Sequence, residues 1–294
     1  MTAISQGEHG ALDEALHGAC GASEEAVHGA CGGLGEAARG PMAGRLASVL
    51  NWLGAQTLEA LSPTRCAGCE APGQLVCSGC LERLELIDPA WACARCGAPF
   101  GRMLCTECYG RTMATDRCLA VAVFQDPLAR MIRMYKDAGE RRLAEPFAEM
   151  LYDAALHAQA EDAERFSGLL ARADALVFVP ATARAFRRRG FDHMEAIARV
   201  LAELSGVPVL DALVKHGAGD QRAWGRLERL MHSHGAYEVV PDAFGALAGA
   251  RVLLLDDVIT TGATVTAAAA VLRDAGADGV DALALARVMG PGAG

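Results

Sequence analysis

Long hydrophobic runs are missing from this sequence, and so is an excess of basic residues. No apolar stretch reaches the ~20 residues that a membrane-spanning helix requires, so we expect no membrane span. Lys and Arg total 27 against 36 Asp and Glu, and the net charge of −9 excludes a protein that is basic over its whole surface. The amino terminus also lacks a basic start followed by an apolar core, so we expect a cytoplasmic location rather than secretion.

Cysteine, in contrast, is plentiful. The chain has 11, and most of them form Cys-x-x-Cys pairs within one short region. In a cytoplasmic chain such pairs are more typical of metal sites than of disulfides, because cellular thiols keep cysteines reduced. Each pair can supply two thiolates, and a tetrahedral Zn²⁺ takes four. The predicted zinc ligands are Cys66, Cys69, Cys77, Cys80, Cys93, Cys96, Cys105 and Cys108.

The spacing of these pairs favours two zinc sites, each made from neighbouring pairs. The gaps between Cys69 and Cys77 and between Cys96 and Cys105 are long enough for two short hairpins. Sequential pairing therefore places the cysteines of 66–80 on one ion and those of 93–108 on the other; a cross-braced arrangement is the alternative. Four thiolates close the coordination sphere, so both zinc ions are expected to be structural.

A second informative stretch runs from Arg251 to Thr266 and reads RVLLLDDVITTGATVT. Val252–Leu255 predicts a strand that is buried on both faces, and Asp256 and Asp257 follow at its carboxyl end. A short loop and an alanine-rich helix come next. Such a loop points backbone N–H groups at one spot, where the helix dipole favours an anion. The loop residues are Thr260, Thr261, Gly262, Ala263 and Thr264.

This stretch resembles the phosphoribosyl-pyrophosphate (PRPP) signature of type I phosphoribosyltransferases. The resemblance implies that Thr260–Thr264 hold the 5′-phosphate of PRPP. It also implies that Asp256 and Asp257 are the catalytic carboxylates, which address the ribose hydroxyls. Magnesium is expected with PRPP, because Mg²⁺ takes oxygen ligands and shares them with substrate phosphates.

From Leu119 onwards, predicted strands alternate with predicted helices, which indicates an α/β domain with a mostly parallel sheet flanked by helices. The segment PATARAFRRRGFDH follows a strand that ends at Val179, where open α/β sheets bind ligands. Arginine forks match phosphate oxygens, and the alternative is a solvated basic helix face. The predicted strands are Leu119–Phe124, Ala175–Val179, Ala236–Val240, Val252–Leu255 and Ala282–Val288.

A double cysteine module followed by such a domain resembles the ComF family of competence-associated proteins, over roughly residues 46–290. MIRMYKDAGE is similar to the family's lysine-containing segment, and FVPATARAFRRRGFDH to its Arg-Gly-Phe stretch. The resemblance implies a type I phosphoribosyltransferase-like fold with a small N-terminal zinc-ribbon module in which four cysteines hold each ion. Asp192 and His193 stand where the family usually has Asn-Gln, and His232 replaces an asparagine, which leaves the second substrate open. The side chains expected to face PRPP beside the loop are Lys136, Arg184, Arg188 and Arg189.

Three parts are therefore expected along the chain. Residues 1–45 are a low-complexity tail in which EALHGACG recurs as EAVHGACG; poor order is favoured there over a metal site. Residues 46–112 form a helix and the double zinc ribbon, and residues 113–294 form the phosphoribosyltransferase-like domain.

Two functions remain open at this point. The first is a phosphoribosyltransferase that acts on an unknown acceptor. The alternative is a non-catalytic protein that senses PRPP or handles single-stranded DNA in natural transformation, with DNA-uptake proteins as partners.

Overall fold

The computed structural model describes residues 64–99, 101, 104–106, 108–110, 112–216 and 236–289. All of them fall in the second of the chain's two units, Gln56–Gly294. The predicted tail, the predicted helix before residue 63, and His232 lie outside the described residues. Within the described ranges, no helix is long and apolar enough to cross a membrane.

A parallel sheet forms the centre of the described structure. The strands of the described residues are β1 (Cys118–Val123), β2 (Ala175–Phe178), β3 (Leu213–Lys215), β4 (Tyr237–Val239), β5 (Arg251–Ile259) and β6 (Gly279–Arg287). The sheet has the order β1-β6-β5-β2, and every neighbouring pair is parallel. A separate antiparallel ribbon pairs β3 with β4.

Helices cover both faces of this sheet, because the side chains of its apolar strands alternate between two cores. Leu253 and Leu255 of β5 belong to one core, and Val252 and Leu254 belong to the other. The helices are α1 (Ser78–Leu81), α2 (Leu128–Asp137), α3 (Ala144–Glu161), α4 (Ala163–Phe166), α5 (Ala183–Arg189), α6 (His193–Ser205), α7 (Phe244–Leu247) and α8 (Ala263–Asp274). Short 3₁₀ turns occur at Pro89–Trp91, Arg141–Leu143 and Pro241–Ala243.

The first core contains residues of α2, α3 and α6, and the second contains residues of α8 and the β3–β4 ribbon. The predicted fold class, a parallel sheet flanked by helices after an N-terminal cysteine module, is thus confirmed.

Strand β5 is longer than the sequence predicted. It continues to Ile259, so Asp256 and Asp257 lie inside the strand and not beyond its end. The reason is the neighbouring strand: β6 continues alongside, and Asp256 pairs in register with Ala284. The extension therefore places both aspartates within the sheet, where their side chains are buried.

The outer edge of β1 is covered by the cysteine module. Ile87 donates its N–H to the carbonyl of Val121 at 2.9 Å, and Val123 donates to Glu85 at 2.8 Å. Leu86 forms an antiparallel bridge with Ala122. A short stretch between the two cysteine groups thus adds an antiparallel partner to an otherwise parallel sheet.

Candidate functional site

The turn between β5 and α8 contains the predicted phosphate loop, Thr260–Thr264. Gly262 has φ 78° and ψ 1°, a left-handed conformation that a side chain makes strained. Thr260 and Thr261 are exposed, and the Thr261 hydroxyl oxygen accepts a hydrogen bond from the N–H of Ala263 at 3.4 Å. Helix α8 begins at Ala263, so its amino end faces the same region.

Asp256, on the strand that leads into this turn, is buried and 6% exposed. Its Oδ1 accepts a hydrogen bond from the backbone N–H of Asp257 at 3.0 Å. Burial, followed by repulsion from the carboxylate of Asp257, raises the pKa of Asp256 to about 8. The side chain is therefore mostly protonated at neutral pH.

Asp257 is also buried, but its surroundings have the opposite effect. Its Oδ2 lies 2.6 Å from Nε2 of His193 and forms an ion pair with Nζ of Lys136. Burial acts to raise the pKa of Asp257, but the hydrogen bond from His193 and the charge of Lys136 outweigh it, and the net shift is downward. Asp257 is therefore charged at neutral pH. Lys136 and Asp257 were predicted independently, and the structure brings them into contact.

His193 joins Asp257 and Lys136 to helix α5, which ends at Arg189. Nη1 of Arg189 lies 3.3 Å from Nδ1 of His193. Arginine can only donate, so Nδ1 accepts and the ring proton sits on Nε2, which donates to Asp257. The Tyr135 hydroxyl donates to the carbonyl of His193 at 2.6 Å, and Asp192 caps the start of α6 through the N–H of Met194 at 2.9 Å. The sequence had signalled His193 only as a departure from the ComF pattern.

The other predicted arginines lie at the surface. Arg184 and Arg188 are exposed on α5, and Nη2 of Arg188 donates to Asp137 at 3.0 Å. Of the predicted phosphate-facing side chains, Lys136 thus contacts Asp257 directly, and Arg189 is linked to Asp257 through His193. Arg184 and Arg188 instead lie on an exposed helix face.

The cysteines form two groups, as sequential pairing predicts. Cys66, Cys69, Cys77 and Cys80 are one group, and Cys93, Cys96, Cys105 and Cys108 are the other; within each, all sulfur atoms lie within 4.8 Å of one another. The Sγ atoms of Cys69 and Cys77 are 3.6 Å apart, as are those of Cys96 and Cys105. Tetrahedral zinc with sulfur at ~2.3 Å places its ligands ~3.8 Å apart, so both groups fit the ion.

The two groups are built alike. The N–H of Cys77 donates to Sγ of Cys66 at 3.4 Å, and the N–H of Cys105 donates to Sγ of Cys93 at 3.3 Å. Burial acts to raise the pKa of Cys66, but hydrogen bonds from backbone N–H groups, that of Cys77 first, lower it to about 6. Such donors stabilise the thiolate, which is the form that binds a metal.

Arg287 was missed by the sequence analysis. Its side chain is buried at the end of β6 and donates to the carbonyls of Cys96 at 3.2 Å and Ile259 at 3.4 Å, and to those of Thr260 and Val288. The only sequence signal was a charged residue at the end of an apolar strand. The contact joins the second cysteine group to the end of β5.

Comparison with known proteins gives a consistent set of relatives, although no family model matches. Competence protein F of Haemophilus influenzae is 25% identical over 216 residues, which cover 72% of this chain and 90% of the relative. DNA utilization protein YhgH of Escherichia coli (strain K12) is 27% identical over 241 residues, which cover 77% and 98%. This chain is a homologue of Competence protein F. The relationship expected from the sequence is thereby confirmed, and the YhgH protein of Salmonella typhi, 26% identical over 236 residues, is a further homologue.

Solved structures give partial matches. Glutamine PRPP amidotransferase from B. subtilis, complexed with ADP and GMP, has a TM-score of 0.34 and 24% identity over 49% of this chain and 26% of that chain. A structure of the allosteric regulatory enzyme of purine biosynthesis has a TM-score of 0.29 and 21% identity over 49% of this chain and 25% of its own. This chain thus spans about a quarter of the length of either structure.

Proposed function

We propose that this chain binds PRPP at the turn from β5 to α8, with Mg²⁺ on the pyrophosphate. One observation carries the proposal. Strand β5 bears Asp256 and Asp257, and Thr260 and Thr261 follow its end. Gly262, in a left-handed conformation, then leads directly into helix α8. Exposed hydroxyls, backbone N–H groups and the positive end of the α8 dipole suit the 5′-phosphate.

Lys136 and Arg189 are the cations proposed to face the pyrophosphate. Arg189 is mostly buried, and among the described residues its Nε–H lacks a hydrogen-bond partner. A buried donor without a partner is costly, so an anionic oxygen at this point would satisfy it. Lys136 neutralises Asp257 in the free protein, and we expect PRPP to draw the ammonium towards its pyrophosphate.

Asp257 is then released to accept hydrogen bonds from the ribose hydroxyls. It is the charged member of the acidic pair, since the pKa of Asp256 is raised to about 8. In a transfer reaction, the same carboxylate would stabilise positive charge that develops on the ribose ring. His193 keeps Asp257 oriented while Lys136 moves.

Calorimetry with magnesium PRPP tests the proposal. We expect the double variant Asp256→Ala, Asp257→Ala to lose PRPP binding while its zinc content stays unchanged. Asp281→Ala is the matched control, because Asp281 is also buried and ion-paired, with Arg117, but lies near the opposite end of the sheet. A double variant that binds PRPP as the wild type does would refute the role of the acidic pair.

A second measurement separates transfer from binding alone. Wild-type protein is mixed with magnesium PRPP and each common nucleobase in turn, and released pyrophosphate is followed. Release that depends on one base identifies a phosphoribosyltransferase and its acceptor. Binding without release with any of them favours a PRPP-sensing protein.

Handling of single-stranded DNA is the second candidate function. Helix α5 exposes Phe186 between Arg184 and Arg187, and Phe186 is 48% exposed. Aromatic stacking beside basic side chains is typical of single-strand binding, and the relatives are named for competence and DNA utilization. A labelled oligonucleotide should bind with strong salt dependence and should bind less tightly to Phe186→Ala. Equal binding by that variant would count against this surface.

A further inference from the structure

Arg287 occupies an unusual position for an arginine. It is 2% exposed and ranks among the largest fully buried side chains of the described residues. Taking a guanidinium out of water is costly unless its donors and its charge are satisfied. The groups around Arg287 therefore reveal what stabilises this part of the fold.

On one side, the guanidinium holds the end of β5. Nη1 donates to the carbonyls of Ile259 and Thr260, and the N–H of Val288 also donates to Ile259, at 2.9 Å. Thr260 is the first residue of the predicted phosphate loop. Because the guanidinium is a planar, rigid fork, its position fixes the direction in which the chain leaves β5.

On the other side, the guanidinium holds the second cysteine group. Nε donates to the carbonyl of Cys96, and Nη2 lies 3.8 Å from Sγ of the same residue. Four thiolates on one Zn²⁺ carry a net negative charge, which compensates the buried cation beside them. The ion would also fix Cys96 against the other three cysteines of its group, so loss of the metal releases the carbonyl that Arg287 holds.

The first cysteine group has a different arginine. Nη2 of Arg83 lies 3.1 Å from Sγ of Cys80, but Arg83 is exposed and belongs to the cysteine module itself. This contact stays inside the module, whereas that of Arg287 reaches the loop. The two groups therefore differ in whether an arginine joins them to the predicted phosphate loop.

We propose that Arg287 is a positioning residue that couples metal binding at the second cysteine group to the shape of the Thr260–Thr264 loop. The first group does not share this coupling. The effect on PRPP affinity rests on the proposed function; the effect on the loop itself does not.

Hydrogen exchange at the loop amides, measured on the full chain, tests the coupling. Cys105→Ser and Cys77→Ser are a matched pair, because the two cysteines occupy equivalent places in their groups. Each donates its N–H to Sγ of the first cysteine of its group, and its own Sγ lies 3.6 Å from Sγ of the second cysteine. Zinc content is measured for both. We expect Cys105→Ser to accelerate hydrogen exchange of the loop amides about tenfold relative to wild type, with the amides of β2 as the internal reference. Cys77→Ser should change the exchange rate of the loop amides by less than about twofold. Equal acceleration in both variants would overturn the proposal.

Arg287→Lys separates coupling from simple destabilisation, since it keeps every cysteine and the positive charge but loses the fork. We expect it to accelerate loop exchange while zinc content is unchanged. Stripping zinc with a chelator should then accelerate wild-type loop exchange but add nothing in Arg287→Lys; an equal further effect in both would overturn the proposal. This variant also decides the question if Cys105→Ser does not fold.

Titration of the wild type with magnesium PRPP is run alongside. Absence of PRPP binding would refute the proposed function and leave the exchange result standing. Binding of PRPP together with metal-independent loop exchange would refute the coupling alone.

Discussion

Nε2 of His193 lies 2.6 Å from Oδ2 of Asp257, and both side chains are buried. This contact joins the first turn of α6 to β5, and the same carboxylate oxygen forms the ion pair with Lys136. Because Arg189 donates to the other ring nitrogen, the position of the histidine proton is determined. Asp257 is thus held by side chains of α2 and α6, and Arg189 of α5 holds the histidine, before any ligand is present.

Removing this histidine should destabilise the fold. His193→Ala leaves a buried carboxylate with one donor fewer, and we expect a loss of about 2–3 kcal/mol in the free energy of unfolding. His193→Gln retains an N–H donor, so its loss should stay below about 1 kcal/mol. Urea unfolding of the three proteins at neutral pH measures this, and equal losses for both variants would show that the hydrogen bond contributes little.

The raised pKa of Asp256 predicts a pH-dependent stability. The folded protein keeps a proton up to about pH 8, whereas the unfolded chain releases it near the ordinary value of 3.8. Between these values the folded state binds more protons, so the contribution of Asp256 to stability falls as pH rises. Asp256→Asn cannot ionise, and its stability relative to wild type should increase by up to ~1.4 kcal/mol per pH unit over that range.

Unfolding in urea at pH 5, 6, 7 and 8 checks the slope. Comparison with wild type at each pH cancels the titration of groups that do not interact with Asp256. A stability difference that stays constant across the series would mean that Asp256 titrates alike in the folded and unfolded states.

The role of Gly262 in the loop can be tested against Gly249, a left-handed glycine outside the loop. Gly262 has φ 78° and Gly249 has φ 74°, so alanine should cost about 1 kcal/mol of backbone strain at either position. A Cβ at Gly262 would also lie 3.1 Å from Cε of Met113, whereas nothing lies within 4 Å at Gly249. We expect only Gly262→Ala to weaken PRPP binding in calorimetry, by about tenfold or more. Similar affinities in both variants would contradict the loop assignment.

Metal analysis of the purified chain should find about two zinc ions, one for each cysteine group. Cys69→Ser, at an exposed position in the first group, should reduce the zinc content to about one. A wild-type value of one or none would refute two independent sites.

Local chemistry explains which features the sequence could predict. Short spacings in the sequence decide which cysteine pairs can share one ion, so the two cysteine groups were predictable. The strands of the parallel sheet were predictable because they are apolar on both faces. Strand β3 (Leu213–Lys215) was not, because its three residues alternate in burial and depend on β4 for a partner. The predicted end of β5 was wrong because its length is set by β6.

Contacts between distant segments could not be read from any pattern. His193 and Asp257 are far apart in the sequence, as are Cys96 and Arg287, and each pair meets only because of the order of strands in the sheet. The role of Lys136 came from a resemblance, and that of the arginines of α5 came also from their position after a buried strand. The geometry then separated buried Arg189 from exposed Arg184 and Arg188.

The stretch from Glu85 to Ile87 occupies hydrogen-bonding groups of β1 that would otherwise form a bare strand edge. Unprotected edges of this kind recruit other chains and lead to aggregation. That stretch lies between the two cysteine groups proposed to hold zinc, so we expect loss of the metal to loosen it and uncover the edge. Zinc supply would then govern the solubility of newly made protein as well as its local structure.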